Sequence, residues 1–132
     1  MPNPPEGYTR VCPYLLYEDA QAAVDHLTNA FGFVQRRVET GAAGRMHTEL
    51  VLGEDGLVML GQAGEAFQSP KRLGAQPSSL VHVYVDDVSA LHERAKSSGA
   101  EVSELEDAPN GERRFSSTDP EGQVWFFSQS GS

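Results

Sequence analysis

The first half of the chain opens with a strand-like hydrophobic pattern that changes into a helical one. The stretch from Val11 to Tyr17 is rich in β-branched and aromatic residues and predicts a strand. Apolar residues then recur at helical spacing from Ala20 to Phe31, which predicts an amphipathic helix. Asp19 is placed to cap the start of this helix, and Gly32 is placed to end it. Strands are predicted to follow at 33–39, 46–52 and 57–60, with a turn at 41–44.

The second half of the chain repeats this order of elements. A strand is predicted first, then a helix, and then three more strands, at 80–85, 87–98, near 101–105, at 113–118 and at 123–128. Each half also closes on a glycine hairpin, which lies at 53–56 in the first half and at 119–122 in the second. The two halves therefore read as two copies of one βαβββ module.

This duplication predicts an α+β fold in which the two modules form a cupped mixed sheet with the helices on its outer face. Module one covers about 8–62, a connecting loop covers 63–79, and module two covers 80–130. At 132 residues the chain is long enough for one domain with a real core, so both modules are expected to share a single domain over 1–132.

Alternation along the strands separates a face that packs under the helices from a face that lines the cup. Counting from the hairpin turns places Glu49 opposite Leu60 and Phe115 opposite Phe126. The long loop adds Phe67 as a residue that could close over a ligand. The predicted lining of the cup is Cys12, Tyr14, Leu16, His47, Glu49, Val58, Leu60, Leu80, His82, Tyr84, Arg113, Phe115, Phe126 and Ser128.

Charge and composition exclude several classes of partner. The chain carries 10 Lys and Arg residues against 19 Asp and Glu residues, a net charge of −9, so nucleic acids and anionic membranes are not expected as partners. No apolar stretch has the length of a membrane span, and the first residues lack the pattern of a signal peptide. The lone Cys12 excludes an internal disulfide and a cysteine-built zinc site. A cytoplasmic location is therefore expected.

The repeated modules carry motifs that point to a known family. The helix that closes at Gly32-Phe33 and the strand 82–87 with its Val-Asp-Asp helix start are two of them. The third is Asp119-Pro120-Glu121-Gly122 followed by Trp125. With these motifs the chain resembles the vicinal oxygen chelate superfamily, which includes glyoxalase I, extradiol dioxygenases, and fosfomycin and bleomycin resistance proteins. It is most similar to the short bacterial members called bleomycin-resistance-like or PhnB-like.

The resemblance implies a homodimer, with ligand pockets where modules pair within or between subunits. For the superfamily's enzymes it also implies one divalent metal held at four strand positions, which correspond here to Cys12, Leu60, Leu80 and Phe126. Three of these side chains are hydrocarbons, which cannot bind a hard or borderline cation. We therefore expect no metal and no other cofactor.

The aromatic character of the predicted cup favours a metal-free protein that binds a small molecule and sequesters it. An aromatic or cationic compound such as an antibiotic is the expected ligand, since an acidic protein attracts cations. The residues predicted to bind it are Tyr14, His47, Glu49, Leu60, Phe67, His82, Tyr84, Arg113, Phe115 and Phe126.

The alternative is a metal-dependent lyase, isomerase or dioxygenase of the glyoxalase type. Its candidate catalytic residues are His47, Glu49 and His82, because two histidines and one carboxylate form the ligand set of non-haem iron sites. Glu49 could instead act as a general acid or base in an apolar cup. The sequence leaves this choice open.

Overall fold

The computed structural model describes residues 2–40 and 44–131, and most of the turn predicted at 41–44 lies outside the described residues. The first module follows the predicted order of one strand, one helix and three strands. Its elements are β1 (Tyr14–Tyr17), α1 (Ala20–Phe31), β2 (Val34–Thr40), β3 (Met46–Leu52) and β4 (Gly56–Gln62). The connecting loop carries a short helix, α2 (Pro70–Leu73), which the sequence pattern did not predict.

The second module repeats this order with one correction. Its elements are β5 (Leu80–Tyr84), α3 (Val88–Ser97), β6 (Glu106–Asp107), β7 (Arg113–Thr118) and β8 (Val124–Gln129). The strand predicted near 101–105 is wrong, because β6 begins later and only an isolated bridge joins Val102 to Ser117. None of the described helices combines the length and the apolar character that crossing a bilayer requires.

The strands form two four-stranded mixed sheets, in the orders β1-β4-β3-β2 and β5-β8-β7-β6. In each sheet the first strand of the module runs parallel to the last one, and the remaining pairs are antiparallel. The predicted α+β class with two βαβββ modules is confirmed. Within one chain, however, the cupped sheet is divided into these two sheets.

Capping side chains fix the starts of both long helices, as predicted for Asp19. The Asp19 carboxylate accepts a hydrogen bond from the Ala22 backbone N–H at 3.0 Å, and Asp87 does the same for Ala90 at 3.0 Å. Helix α1 ends at Gly32, whose φ of 79° is a left-handed conformation that glycine adopts without a steric penalty. The capping residues therefore set the ends of α1 where the apolar pattern predicts them.

The two modules share one core between their helix-facing sides. Helix α1 buries its whole predicted apolar stripe and packs against α3. Phe31 at the end of α1 stacks on Phe127 of β8, with ring centroids 4.4 Å apart, and Phe33 lies 5.6 Å from the Trp125 ring. Module one thus packs directly on the sheet of module two. Among the described residues, neither of the long helices α1 and α3 covers the opposite faces of the two sheets.

The register of both hairpins differs from the predicted one by a single residue. Glu49 pairs with Met59 rather than Leu60, and Phe115 pairs with Phe127 rather than Phe126. Because successive side chains of a strand point to opposite faces, one residue of shift moves the partner strand's side chains to the other face. The predicted cup lining is therefore wrong at four positions that lie on the helix-facing side: Val58, Leu60, Arg113 and Phe115.

We call the two faces that point away from the helices the first and second open faces. The first open face contains Tyr14, Leu16, Arg36, His47, Glu49, Met59 and Gly61. The second open face contains Leu80, His82, Tyr84, Arg114, Ser116, Phe126 and Ser128.

Candidate functional site

A cavity of about 460 Å³ lies on the first open face, beneath the start of the connecting loop. Its volume is typical of a site for a small organic molecule. Strands β1, β3 and β4 supply its floor, and the loop after β4 supplies one wall. The lining residues are Tyr14, Leu16, Arg45, Met46, His47, Gln62, Gly64, Ala66 and Phe67.

A tyrosine and a histidine are joined across the floor of this cavity. The Tyr14 hydroxyl lies 2.8 Å from Nδ1 of His47, and the two ring centroids are 5.3 Å apart. Gly61 of β4 lies between their strands, and a Cβ there would stand 2.6 Å from the Tyr14 hydroxyl. The absence of a side chain at Gly61 therefore allows the tyrosine to cross the sheet. Burial raises the pKa of Tyr14 above its usual range, so the phenol stays protonated at neutral pH.

Glu49 lies two residues beyond His47 on the same face, but it is enclosed by other groups. Its carboxylate accepts hydrogen bonds from Nε of Arg36 at 2.9 Å and from the Tyr8 hydroxyl at 2.7 Å. The Arg36 guanidinium in turn lies 4.7 Å from the centre of the Tyr8 ring, a cation–π arrangement. The carboxylate is 2% exposed and does not line the cavity. The segment that precedes β1 thus covers this end of the face.

The wall formed by the loop is anchored through α2 to the end of β1. Arg72 donates two hydrogen bonds to Oε1 of Glu18, at 3.0 and 2.6 Å, and the Ser69 hydroxyl donates to Oε2. The hydrogen bonds from Arg72 hold the pKa of Glu18 below its usual range. Phe67 lies in this loop, lines the cavity and is 72% exposed. Its position agrees with the predicted role of a lid, which stays a prediction.

The second open face carries its own aromatic cluster. His82 lies 5.0 Å from the Tyr84 ring and 6.4 Å from the Phe126 ring. The Tyr84 hydroxyl donates to Glu112 at 2.8 Å, and this hydrogen bond raises the pKa of Tyr84. Tyr84 is 62% exposed and Leu80 is 49% exposed, so the cluster is open on one side.

Apart from Glu49, which is buried beside Arg36 and Tyr8, the predicted binding residues fall into three groups in the structure. Tyr14, His47 and Phe67 meet at the cavity. His82, Tyr84 and Phe126 lie together on the other sheet. The residues that the register shift moved have structural roles: Leu60 and Phe115 are buried in the core, and Arg113 pairs with Asp107 beside α3.

Sequence reasoning missed several residues that shape the cavity. Arg45, Gln62 and Gly64 line it, and Gly61 makes room for its tyrosine. Arg45 carries a signal that could have been used, because it continues the alternation of His47 and Glu49 on β3. Gly61 and Gly64 carry no such signal in the sequence, since their effect depends on which side chain packs across each of them in the folded chain.

The positions that correspond to the family's metal ligands do not fit a metal ion. The pairing of β1 with β4 and of β5 with β8 makes Met59, rather than Leu60, the counterpart of Phe126. The other two positions are Leu80, a hydrocarbon, and Cys12, whose thiol donates to the Thr9 carbonyl at 3.1 Å. His82 lies in a different sheet from His47 and Glu49. Within the part of the chain that the structure describes, no three His, Cys, Asp or Glu residues are grouped for metal binding.

Comparison with known proteins identifies the family. A family model described as the Glyoxalase/Bleomycin resistance protein/Dioxygenase superfamily matches residues 10–127. The uncharacterized protein Rv0887c of Mycobacterium tuberculosis is 32% identical over 123 residues, which cover 89% of this chain and 72% of that protein.

Solved structures share the fold. TioX from Micromonospora sp. ML1 is 32% identical with a TM-score of 0.71, covering 90% of this chain and 96% of its own. TnmS3, an antibiotic binding protein from Streptomyces sp. CB03234, has a TM-score of 0.71 at 21% identity, over 90% and 93% of the two chains. The fosfomycin resistance protein FosX from Listeria monocytogenes, in complex with Mn(II) and sulfate, has a TM-score of 0.68 at 12% identity, over 92% and 91%. The family model and the relatives at 32% identity show that the chain belongs to the glyoxalase/bleomycin resistance protein/dioxygenase superfamily, as its motifs predicted.

Proposed function

We propose that this protein binds and sequesters an aromatic small molecule, such as an antibiotic, without a metal ion. The observation that carries the proposal is the cavity on the first open face, where Tyr14, His47 and Phe67 present aromatic surfaces around about 460 Å³. Aromatic rings bury large areas with defined geometry, so they suit a planar guest. TnmS3, which shares the fold, is an antibiotic binding protein, and this agrees with the proposal.

The chemistry of the open faces supports binding over metal catalysis. Leu80 and Phe126 offer no donor atoms, and the thiol of Cys12 is engaged by a backbone carbonyl. Glu49, the carboxylate nearest to His47, is neutralised by Arg36 and lies 4.0 Å from Nε2 of the histidine. We therefore assign Tyr14 and His47 to ligand contact and Glu49 to holding the sheet face.

We also propose that the protein is a homodimer that acts in the cytoplasm. The two sheets of one chain share their helix-facing sides, so the open faces must find another partner to become enclosed. Large apolar side chains are exposed on both: Tyr14 on the first open face, and Leu80 and Tyr84 on the second. Apposing the first open face of one copy with the second of another would bring Tyr84, His82 and Phe126 over the cavity.

Ligand binding can be tested by thermal denaturation against polycyclic aromatic antibiotics, with fosfomycin as a small non-aromatic control. We expect at least one aromatic compound to stabilise the protein, by about 2.7 kcal/mol when its concentration is a hundred times its dissociation constant. Tyr14→Ala should remove most of this stabilisation. Elemental analysis of the same preparation distinguishes the alternative function: a stoichiometric metal that is lost in Glu49→Ala would contradict the metal-free proposal.

The dimer is tested by multi-angle light scattering of Leu80→Arg. A charge on the second open face should oppose burial of that face, so we expect the variant to run as a monomer. Leu73→Arg is the matched control, because Leu73 is 63% exposed on α2 and belongs to neither open face. A wild-type protein that is monomeric at every concentration would contradict this part of the proposal.

A further inference from the structure

The cavity wall carries a positive charge, that of Arg45, although the whole protein has a net charge of −9. Arg45 lines the cavity just before β3, on the same side of the strand as His47. Its guanidinium lies against Gly64: a Cβ on that glycine would clash with Cζ and stand within 2.8 Å of both terminal nitrogens. The Arg45 guanidinium therefore packs against the Gly64 backbone at the cavity wall.

Within the described part of the chain, no acidic side chain pairs with this guanidinium. Among residues 2–40 and 44–131, no carboxylate lies within ion-pair distance of the Arg45 guanidinium. Glu49, farther along β3, already binds Arg36 and Tyr8. Glu18, below the loop, already binds Arg72.

The neighbouring acidic residue of the loop does not change this picture. Glu65 follows Gly64 in the chain, but its side chain is exposed and does not line the cavity. On the second open face, Glu106 and Glu112 are likewise engaged, by Arg114 and by Tyr84. A ligand in the cavity therefore meets an uncompensated guanidinium and a histidine, but no free carboxylate of the described residues.

We infer that the ligand of this cavity is a planar aromatic compound that carries a carboxylate or a similar anionic group. The inference rests on the proposed function and names its class of ligand. A guanidinium offers paired N–H donors that match the two oxygens of a carboxylate, while Tyr14 and Phe67 contact the ring. The sequence-based expectation is an aromatic or cationic compound; the inferred ligand keeps the aromatic character and carries a negative charge in place of the positive one.

The net charge of −9 does not oppose this assignment. Charges on the surface are screened over about 8 Å at physiological ionic strength. A bound ligand therefore responds mainly to the groups that touch it, of which Arg45 is one. The acidic surface affects the rate of approach more than it affects the choice of ligand.

The test uses three probes of the same shape and different charge: 2-naphthoate, 2-naphthamide and 2-naphthamidine. We expect calorimetry on the wild-type protein to show that the anion binds at least about tenfold more tightly than the neutral amide, and the cation most weakly. Arg45→Gln should bring the affinity for the anion down to the level of the amide. Lys96→Gln, which removes the same charge from α3, is the control and should preserve the preference for the anion.

A second variant tests whether the preference for the anion depends on where the Arg45 guanidinium lies, and not only on its presence. Gly64→Ala keeps Arg45 but pushes its flexible end away from the wall, so we expect the preference for the anion to fall here as well. Equal affinity of all three probes for the wild-type protein would overturn the assignment of an anionic ligand and leave the proposed function standing. Binding of none of the three would contradict the proposed function itself.

Discussion

Replacing Asp119 with alanine is expected to lower the free energy of unfolding by about 3 to 5 kcal/mol. The Asp119 carboxylate is 5% exposed and accepts hydrogen bonds from the Tyr17 hydroxyl at 2.6 Å and from Nε1 of Trp125 at 3.2 Å. Both donors are buried, and each buried group left without a partner costs about 1 to 3 kcal/mol. Burial and the neighbouring Asp119 raise the pKa of Tyr17, so its hydroxyl stays protonated and keeps donating.

Asp119→Ala should also lose the hydrogen bonds by which Asp119 stabilises its own hairpin. Its other oxygen accepts from the backbone N–H groups of Glu121 at 3.1 Å and of Gln123 at 3.0 Å. Urea unfolding at a fixed protein concentration, followed by the fluorescence of the buried Trp125, measures the effect. Asp119→Asn keeps an acceptor and should lose clearly less than the alanine variant.

Asp55→Ala provides the matched control, because Asp55 is the exposed aspartate of the corresponding hairpin in module one. We expect its effect to stay within about 0.5 kcal/mol, as for most surface substitutions. If Asp119→Ala changed stability no more than Asp55→Ala, the hydrogen bonds of Tyr17 and Trp125 could not be a main link between the modules.

The Asp-Pro-Glu-Gly hairpin is thus explained as a joint between the modules. Asp119 of module two binds Tyr17 of module one, and the Glu121 carboxylate accepts from the backbone N–H groups of Glu18 and Asp19 at 2.7 and 2.8 Å. These contacts lie where β1 passes into α1. The motif by which the sequence resembles its family therefore has a structural role in this chain.

The helices and their own core-facing residues could be predicted from the sequence because they depend on local patterns. The apolar stripe of α1 and the caps Asp19 and Asp87 follow from 3.6-residue spacing and from free N–H groups at a helix start. Trp125 and Phe127 of β8 also lie on the core side, where their bulk is fully buried.

The faces of β4 and β7 could not be predicted in the same way because they depend on turn geometry. The first hairpin pairs Leu52 with Gly56, which leaves a three-residue turn starting at Gly53 with φ of 64°. The predicted turn is one residue longer, and this difference alone places Leu60 on the wrong face. In the second hairpin the observed turn, between Thr118 and Val124, is one residue longer than the predicted one, and this places Phe115 on the wrong face.

The cavity depends on contacts between distant segments that leave no periodic signal. Tyr8 reaches Glu49 across 41 residues, and this contact converts a predicted ligand residue into a covered ion pair. Arg45 reaches Gly64 in the loop after β4. Both contacts join segments that are far apart in the sequence. They form only when the fold brings the N-terminal segment over β3 and the loop after β4 beside Arg45.

Replacing Gly61 with valine is expected to weaken the binding of 2-naphthoate by about thirtyfold or more, roughly 2 kcal/mol at 1.4 kcal/mol per tenfold. A Cβ at this position would stand 2.6 Å from the hydroxyl and 2.8 Å from Cε1 of Tyr14, so the ring must leave His47. The added methyl groups would also fill the floor of the cavity. Since Tyr14 is 47% exposed and valine suits a strand, the ring can swing outward with little loss of stability.

Calorimetric titration together with the melting temperature separates the loss of the site from the loss of the fold. Tyr14→Phe is the matched control: it keeps the ring over Gly61 and removes only the hydrogen bond to His47, whose net worth is about 0.5 to 1.5 kcal/mol. Its affinity should therefore lie between those of the wild-type protein and Gly61→Val. If Gly61→Val bound 2-naphthoate as tightly as the wild-type protein, the ligand would have to bind away from the first open face, because a ligand above Tyr14 and His47 must respond when Tyr14 is displaced.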